Sequence, residues 1–351
     1  MMIRKVVVGG VTIGGGAPVS VQSMCNTDTA DADATAAQIL RLEQAGCEIV
    51  RVSVYSEDCA KAIKAIKKQI HIPLVADVHF DHKLALAALE NGADKLRINP
   101  GNIGGPEKVR ELAKAAKDAD APIRVGVNGG SLERDLLKKH GGPTAEALAE
   151  SAIGHAALLE DAGFSDIVLS VKSSDVKTTV LATRMLREMT DYPLHIGVTE
   201  AGAGEQALIK SAIGAGALLL DGIGDTLRVS ITGDPVKEPA AAIAVLKAVG
   251  LRKSGAEIVS CPTCGRCKTD LLSHVNRVKD SLPDSGRYIK VAVMGCAVNG
   301  PGEAREADVG IAFAPGGCVL FHKGERCGVF HNYDEGIDAL IIEAKRLMGA
   351  V

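Results

Sequence analysis

Short apolar runs alternate with longer amphipathic stretches over the first two thirds of the chain. The runs are Val19–Met24, Ile49–Val54, Pro73–His79, Lys95–Pro100, Pro122–Asn128, Ile167–Ser173, Pro193–Glu200 and Ala217–Gly222. Brief apolar runs bounded by turn residues predict buried strands. Between them lie Asp33–Ala45, Asp58–Lys68, His82–Asn91, Glu107–Ala119, Thr144–Ala162 and Val176–Thr190, rich in Ala, Leu, Lys and Glu, which predict helices. Gly46, Gly92 and Gly163 close three of these stretches as C-caps. The Gly-rich opening from Val6 to Gly16 reads as a small hairpin. Eight strand–helix units in about 240 residues predict an α/β fold, a closed (β/α)₈ barrel of TIM type rather than a doubly wound open sheet.

Glu238–Val249 reads as the last barrel helix, and Leu251–Gly255 as a linker. The texture then changes. A cysteine-rich loop leads to a polar helix near Asp270–Lys279, strand-like runs at Ile289–Met294, Asp308–Ala314, Cys318–His322 and Gly328–His331, and a closing helix at Asp334–Leu347. A chain of 351 residues is long enough for two domains, and the boundary is expected between a barrel at residues 1–254 and a small α+β domain at 255–351.

Composition narrows the function classes. With a net charge of −3, aromatics at 3% and no Trp, the chain lacks the basic field and the stacking surfaces of a nucleic-acid binder. No apolar run approaches the ~20 residues that span a bilayer, and the first residues lack a signal-peptide core, so a cytoplasmic protein without a membrane partner is expected. Nine cysteines in a reducing compartment favour metal binding over disulfides for those that cluster. The scattered Cys25, Cys47 and Cys59 read as small buried residues, and Cys318 and Cys327 are also expected to pack.

Polar residues collect where a barrel places its chemistry, at the C-terminal ends of the strands. Arg51, Arg97, Arg124, Asn128 and Lys172 recur there on different strands, and Arg228 and Ser230 follow in the last unit. By alternation of faces these side chains point into the barrel mouth. Convergent guanidinium groups match phosphate oxygens and predict a diphosphate site. The Gly-rich turns Pro100–Gly105 and Asn128–Ser131 each precede a helix and add backbone donors for an anion. Asp77 and Glu200 are candidates for proton transfer, and Asp77 can equally serve to orient a neighbouring Arg.

In the second domain Cys261-Pro-Thr-Cys264-Gly-Arg-Cys267 is followed by Cys296 in Gly295–Glu303. Thiolates two residues apart, with another in a Gly/Pro-rich loop, suit an iron–sulfur cluster or a zinc ion. On spacing alone Cys267 extends the loop to C-x-x-C-x-x-C, as in a ferredoxin run.

Cys261-Pro-Thr-Cys264, the Cys296-x-x-Asn299-Gly-Pro-Gly-Glu303 signature, Ala76-Asp77-Val78-His79-Phe80 and the Arg97–Gly104 loop together resemble the hydroxymethylbutenyl diphosphate synthases of the non-mevalonate isoprenoid pathway, bacterial two-domain type. The resemblance runs from about Val19 to Glu303 and implies a barrel joined to an iron–sulfur domain of the sulfite-reductase type. It implies one [4Fe–4S] cluster on Cys261, Cys264, Cys296 and Glu303, with Cys267 a bystander. It also implies that Arg51, Arg97, Arg124, Asn128, Lys172, Arg228 and Ser230 hold substrate phosphates, and that Glu200 and Asn299 face the reacting carbons. A head-to-tail homodimer is implied too, with flavodoxin or ferredoxin as electron donor.

The implied reaction is a two-electron reductive opening and dehydroxylation of 2-C-methyl-D-erythritol 2,4-cyclodiphosphate to an allylic diphosphate. Its catalytic residues would be Glu200, Glu303 and Asn299. Two other readings of the same residues are a redox-neutral [4Fe–4S] dehydratase and a phosphate-binding barrel with a structural zinc module.

Overall fold

A computed structural model of the chain describes residues 2–79, 81–267, 269–283, 287–296 and 300–350. The chain divides into two compact units, Met1–Arg252 and Lys253–Val351. The first opens with an antiparallel hairpin of β1 (Lys5–Val8) and β2 (Val11–Gly14). Eight parallel strands follow: β3 (Ser20–Met24), β4 (Ile49–Ser53), β5 (Leu74–Asp77), β6 (Lys95–Ile98), β7 (Ile123–Asn128), β8 (Ile167–Lys172), β9 (His195–Ile196) and β10 (Thr226–Leu227). They pair in the order β8-β7-β6-β5-β4-β3-β10-β9, and a parallel bridge from Leu169 to Leu194 brings the two ends of the ring together.

The helices of this unit are α1 (Ala32–Gln44), α2 (Glu57–Lys67), α3 (His82–Glu90), α4 (Pro100–Ile103), α5 (Pro106–Asp118), α6 (Arg134–His140), α7 (Ala145–Asp161), α8 (Val176–Met189), α9 (Gly204–Leu220) and α10 (Lys237–Ala248). Asp31, Ser56, Asp81, Thr144 and Asp175 cap five of them by accepting from a backbone N–H of the first turn. Gly46, Gly92 and Gly163 take positive φ just past α1, α3 and α7, as expected of C-cap glycines.

One expected barrel strand, Ala217–Gly222, is not a strand: Ala217–Leu220 forms the last turn of α9, and the eighth strand is Thr226–Leu227. An Ala-Leu-Leu-Leu run reads equally well as a buried helix turn, and here it continues the helix begun at Gly204.

Alternation along the strands explains the core. Val50, Val52, Leu74, Ala76, Leu96, Ile98, Ile123, Val125, Leu169 and Val171 belong to one apolar cluster with the helices. The residues between them face the lumen, and most of those are polar. The hairpin supplies Val8 and Ile13 to a smaller cluster with Ile49 and Val75 at the opposite end from the strand C-termini.

The second unit is a five-stranded sheet in the order β11 (Ala256–Ser260), β12 (Ile289–Met294), β13 (Val309–Ala314), β14 (Gly317–His322), β15 (Glu325–Phe330). The first three strands are parallel and the last two antiparallel. One face packs on α11 (Leu271–Ser281) and α13 (Tyr333–Met348) through Leu271, Val278, Ile337 and Leu340. The other packs on α12 (Gly300–Glu306) through Ala304, with Ala292, Met294 and Phe321. Cys318 packs as expected, but Cys327 is exposed, because it lies on the edge strand β15. Cys25, Cys47 and Cys59 are buried. Among the described residues no helix is long and apolar enough to cross a membrane.

Gly310 fixes how closely α12 approaches the sheet. A Cβ there would lie 2.9 Å from the Cα, Cβ and carbonyl oxygen of Ala304. Gly310→Ala is therefore expected to destabilise the second unit by about 1–3 kcal/mol, read as a lower urea midpoint for that unit with the barrel transition unchanged; an unchanged midpoint would contradict this packing.

Candidate active site

The lumen holds Arg51, Lys95, Arg97, Arg124, Lys172 and Arg228 against two carboxylates, Asp77 and Glu238. Arg124 and Lys95 are among the largest fully buried side chains of the protein. The strand register sets their levels. Arg97 pairs with Asp77 on one side and with Arg124 on the other, while Lys95 pairs with Val75, which pairs with Arg51.

Asp77 organises the middle of this array. Its carboxylate lies 3.0 Å from Arg97 Nη1 and 3.4 Å from Arg51 Nε. Burial pushes the Asp77 carboxyl up, but Arg51, Arg97, His79 and Arg124 outweigh it and bring it down to about 2. Asp77 is thus an ionised counter-charge that orients two arginines. Arg97 Nη1 also lies 2.7 Å from His79 Nε2, and its Nη2 donates to the Gly126 carbonyl at 3.3 Å. A Cβ at position 126 would stand 2.5 Å from Arg97 Nε, so glycine there lets the guanidinium cross β7. With its amide turned to match donors with acceptors, Asn128 accepts from Arg97 Nη2 at 3.2 Å.

Glu238, from α10, holds Arg228 by two bonds of 3.0 Å and accepts from Ser23 Oγ at 2.8 Å and from the Ile231 N–H at 3.2 Å. Lys172 Nζ and His195 Nε2 stand 3.2 Å apart, both buried. Burial and then neighbouring cations hold Lys95, Arg124, Lys172 and His195 well below their ordinary values. Polar atoms are left without partners: Lys95 Nζ, Arg97 Nε, Arg124 Nε and Nη2, and His195 Nδ1, together with Ser20, Gln22 and Thr226. Donors so placed, with few carboxylates, suit a ligand that brings acceptors and negative charge.

A cavity of about 510 Å³ opens at this end, lined by His79, Arg97, Asn99, Asn128, Ser131, Ser173, Thr199 and Glu200. That size suits a small phosphorylated molecule. Glu200 is exposed at its rim and holds φ of +53°, a left-handed conformation that a non-glycine residue keeps only when its surroundings impose it. Ser230 is half-buried two residues beyond Arg228. A hollow of about 760 Å³ between α9 and α10 is lined mainly by aliphatic side chains such as Leu208, Ala241 and Val245, and suits no polyanion.

Sequence reasoning missed Lys95, His195 and Glu238. The first two were accessible, since Lys95 lies two residues before Arg97 and shares its face. Glu238 comes from a helix and carried no signal.

In the second unit the parallel pairing of β11 with β12 sends Cys261 and Cys296 off the same end of the sheet. The Gly295 N–H donates to Cys261 Sγ at 3.3 Å. Cys267 turns back through a bond from its N–H to the Cys264 carbonyl, 2.9 Å, and its Sγ packs so close to Gly295 that a Cβ there would lie 2.6 Å from it. Cys264 is exposed and the other three are half-buried. Glu303 is exposed on α12, and Asn299 lies outside the described residues. Soft thiol donors at one sheet end fit a thiolate-bound metal centre, although no three His, Cys, Asp or Glu side chains among the described residues stand together in ligand geometry. Cys261 and Cys267 both pack against Gly295, so position alone does not set Cys267 apart.

The cation array generates a direct expectation. About 1 mM pyrophosphate should raise the unfolding temperature of the barrel more than potassium chloride of equal ionic strength, because a ligand at a hundred times its Kd adds about 2.7 kcal/mol. Arg124→Met should lose most of that increment, and an equal rise with chloride would reject a specific anion site.

Comparison with known proteins agrees with this architecture. Residues 3–243 match the GcpE TIM-barrel domain and residues 257–346 the GcpE protein C-terminal domain. The 4-hydroxy-3-methylbut-2-en-1-yl diphosphate synthase (flavodoxin) of Geobacter sulfurreducens is 55% identical over 345 residues, 98% of each chain. That of Clostridium perfringens is 55% identical over 322 residues, 92% of each. Among solved structures, dihydropteroate synthases from Stenotrophomonas maltophilia and Yersinia pestis align with TM-scores of 0.51 and 0.50 at 13% and 14% identity, covering 70% of this chain and 96% and 97% of theirs. At that identity they share the barrel fold alone. With both domains matched in order and relatives identical at more than half of their positions, this chain belongs to the GcpE family.

Proposed function

We propose that the protein is an oxidoreductase that opens 2-C-methyl-D-erythritol 2,4-cyclodiphosphate reductively to 4-hydroxy-3-methylbut-2-enyl diphosphate, with reduced flavodoxin as electron donor. The observation that carries this reading is the lumen: six basic side chains against two carboxylates, with donors of Lys95, Arg97 and Arg124 left unpartnered. A diphosphate supplies both the charge and the acceptors that these side chains lack. The names of the relatives support the same product and the same donor.

In this reading Arg51, Arg97, Arg124, Asn128, Lys172, Arg228 and Ser230 bind the two phosphates. Asp77 and Glu238 hold Arg97, Arg51 and Arg228 in place before substrate arrives, so the site reorganises little on binding. The cations also answer the negative charge that appears on a phosphate oxygen as the ring C–O bond breaks. Glu200, at the cavity rim beside Arg97 and Asn128, delivers a proton to the departing hydroxyl.

Cys261, Cys264, Cys296 and Glu303 would hold a [4Fe–4S] cluster, with Cys267 beside them and Asn299 near the reacting carbons. Such a cluster, when bound, supplies electrons singly and offers an iron whose carboxylate ligand can be displaced. A cytoplasmic, head-to-tail homodimer belongs to the same proposal.

The test is anaerobic turnover with reduced flavodoxin, followed by phosphorus NMR. Conversion of the cyclic diphosphate to a linear diphosphate monoester is expected from a brown, iron-containing protein. Cys261→Ser, Cys264→Ser and Cys296→Ser should each lose most iron and activity, while Cys267→Ser keeps both. A colourless, zinc-loaded protein without turnover would favour the structural zinc module instead, and turnover that needs no reductant would favour a redox-neutral dehydratase.

A further inference from the structure

Lys95 is not among the residues assigned to the phosphates, yet it is the most deeply buried basic side chain of the lumen. Its side chain is 0% exposed, and its Nζ has no hydrogen-bond partner. Two residues before Arg97 on β6, it points to the same face about 6.6 Å deeper. Its row therefore runs through Val75 to Arg51, one level beneath the row of Asp77, Arg97 and Arg124.

The groups around it are almost all cationic. β4 contributes Arg51, β7 Arg124, β8 Lys172 and β9 His195, Arg228 follows directly after β10, and Arg97 stands above it on its own strand. The carboxylates are both taken: Asp77 by Arg51 and Arg97, and Glu238 by Arg228. Among the described residues no fixed counter-charge remains for the Lys95 amine, and a buried amine among cations releases its proton.

We infer that Lys95 is a titratable floor of the anion site, taking up a proton from solvent when a diphosphate occupies the row above it. This rests on the reading of the lumen as a diphosphate site. The sign follows from the two states. In the free protein, burial, then Arg124 and Arg51, hold the amine well below its ordinary range. A bound polyanion reverses the local field and raises it again. Between the two values the bound form holds one more proton, so binding consumes a proton and affinity falls as pH rises. The adjustment gives the site positive charge on demand, without the full cost of an unpaired buried ammonium in the free protein.

Lys172 and His195 titrate in the same lumen and share their contact, so the parent is expected to take up a proton or more in total. The contribution of Lys95 is the difference made by removing it.

The measurement is calorimetric titration of the cluster-loaded, oxidised protein with the cyclic diphosphate, without reductant, near pH 8 in buffers of different ionisation enthalpy. Each phosphate of a cyclic diphosphate carries a single strongly acidic hydroxyl, so every proton counted belongs to the protein. The parent should show net proton uptake, and Lys95→Met about one proton fewer, with an affinity that depends less steeply on pH by about one log unit per unit. Methionine keeps the length of the side chain and removes an unpartnered donor, so the variant is expected to unfold no earlier than the parent; Lys95→Gln repeats the measurement should the methionine variant fail to fold. A purely structural lysine would shift the unfolding temperature and leave the proton count alone. Equal uptake in parent and variant, or none in the parent, overturns the inference while leaving the diphosphate site standing. No binding by the parent rejects the diphosphate site, and the inference with it.

Discussion

Positive charge buried in excess of its counter-charge is the constraint around which the barrel is arranged. Six basic side chains share a lumen with Asp77 and Glu238, and charge of one sign taken out of water opposes folding. The stability that offsets it comes from outside the ring, where the alternate residues of every strand join the helices in one apolar cluster. The hairpin adds Val8 and Ile13 beneath the lumen and packs that end with aliphatic side chains. The protein is thus apolar where it needs stability and cationic where it needs a ligand, and strand alternation keeps the two apart.

Both units place their chemistry where parallel strands end. In the barrel those ends carry Asn128, Lys172 and the rim that includes Glu200. In the second unit the adjacent parallel strands β11 and β12 deliver Cys261 and Cys296 to one edge. Glycines set the tolerances at both places. Gly126 gives Arg97 its path, Gly295 admits the Cys267 sulfur, and Gly197, at φ of +149°, would bring a Cβ within 2.3 Å of the Arg228 carbonyl and 3.1 Å of Lys172 Nζ.

Much of this was legible in the residues. Seven of the barrel strands and the helices between them follow from hydrophobic period and capping glycines, and the cation array follows from alternation. What failed has physical reasons. Ala217–Leu220 fits a helix turn as well as a strand, and only the helix upstream decides it. Strand β11 was invisible because Ala256–Ser260 is only partly buried, and the apolar face it turns to the core is no more than Ala256 and Ile258. Helix α12 begins at Gly300-Pro301-Gly302, poor helix formers that are tolerated in a first turn. Lys95 and His195 open their strands, a full layer below the strand ends at which the other basic residues are legible by position. Glu238 reaches Arg228 from a helix, a tertiary contact with no sequence signature.

The most direct test of the claim that the lumen is built for a diphosphate is the structure of the oxidised protein with the cyclic diphosphate bound. The account predicts both phosphates inside the barrel mouth, accepting hydrogen bonds from Arg97, Arg124 and Lys172, with Asp77 still holding Arg51 and Arg97. Phosphates bound outside the lumen, with Arg124 Nε and Nη2 still unpartnered, would contradict it.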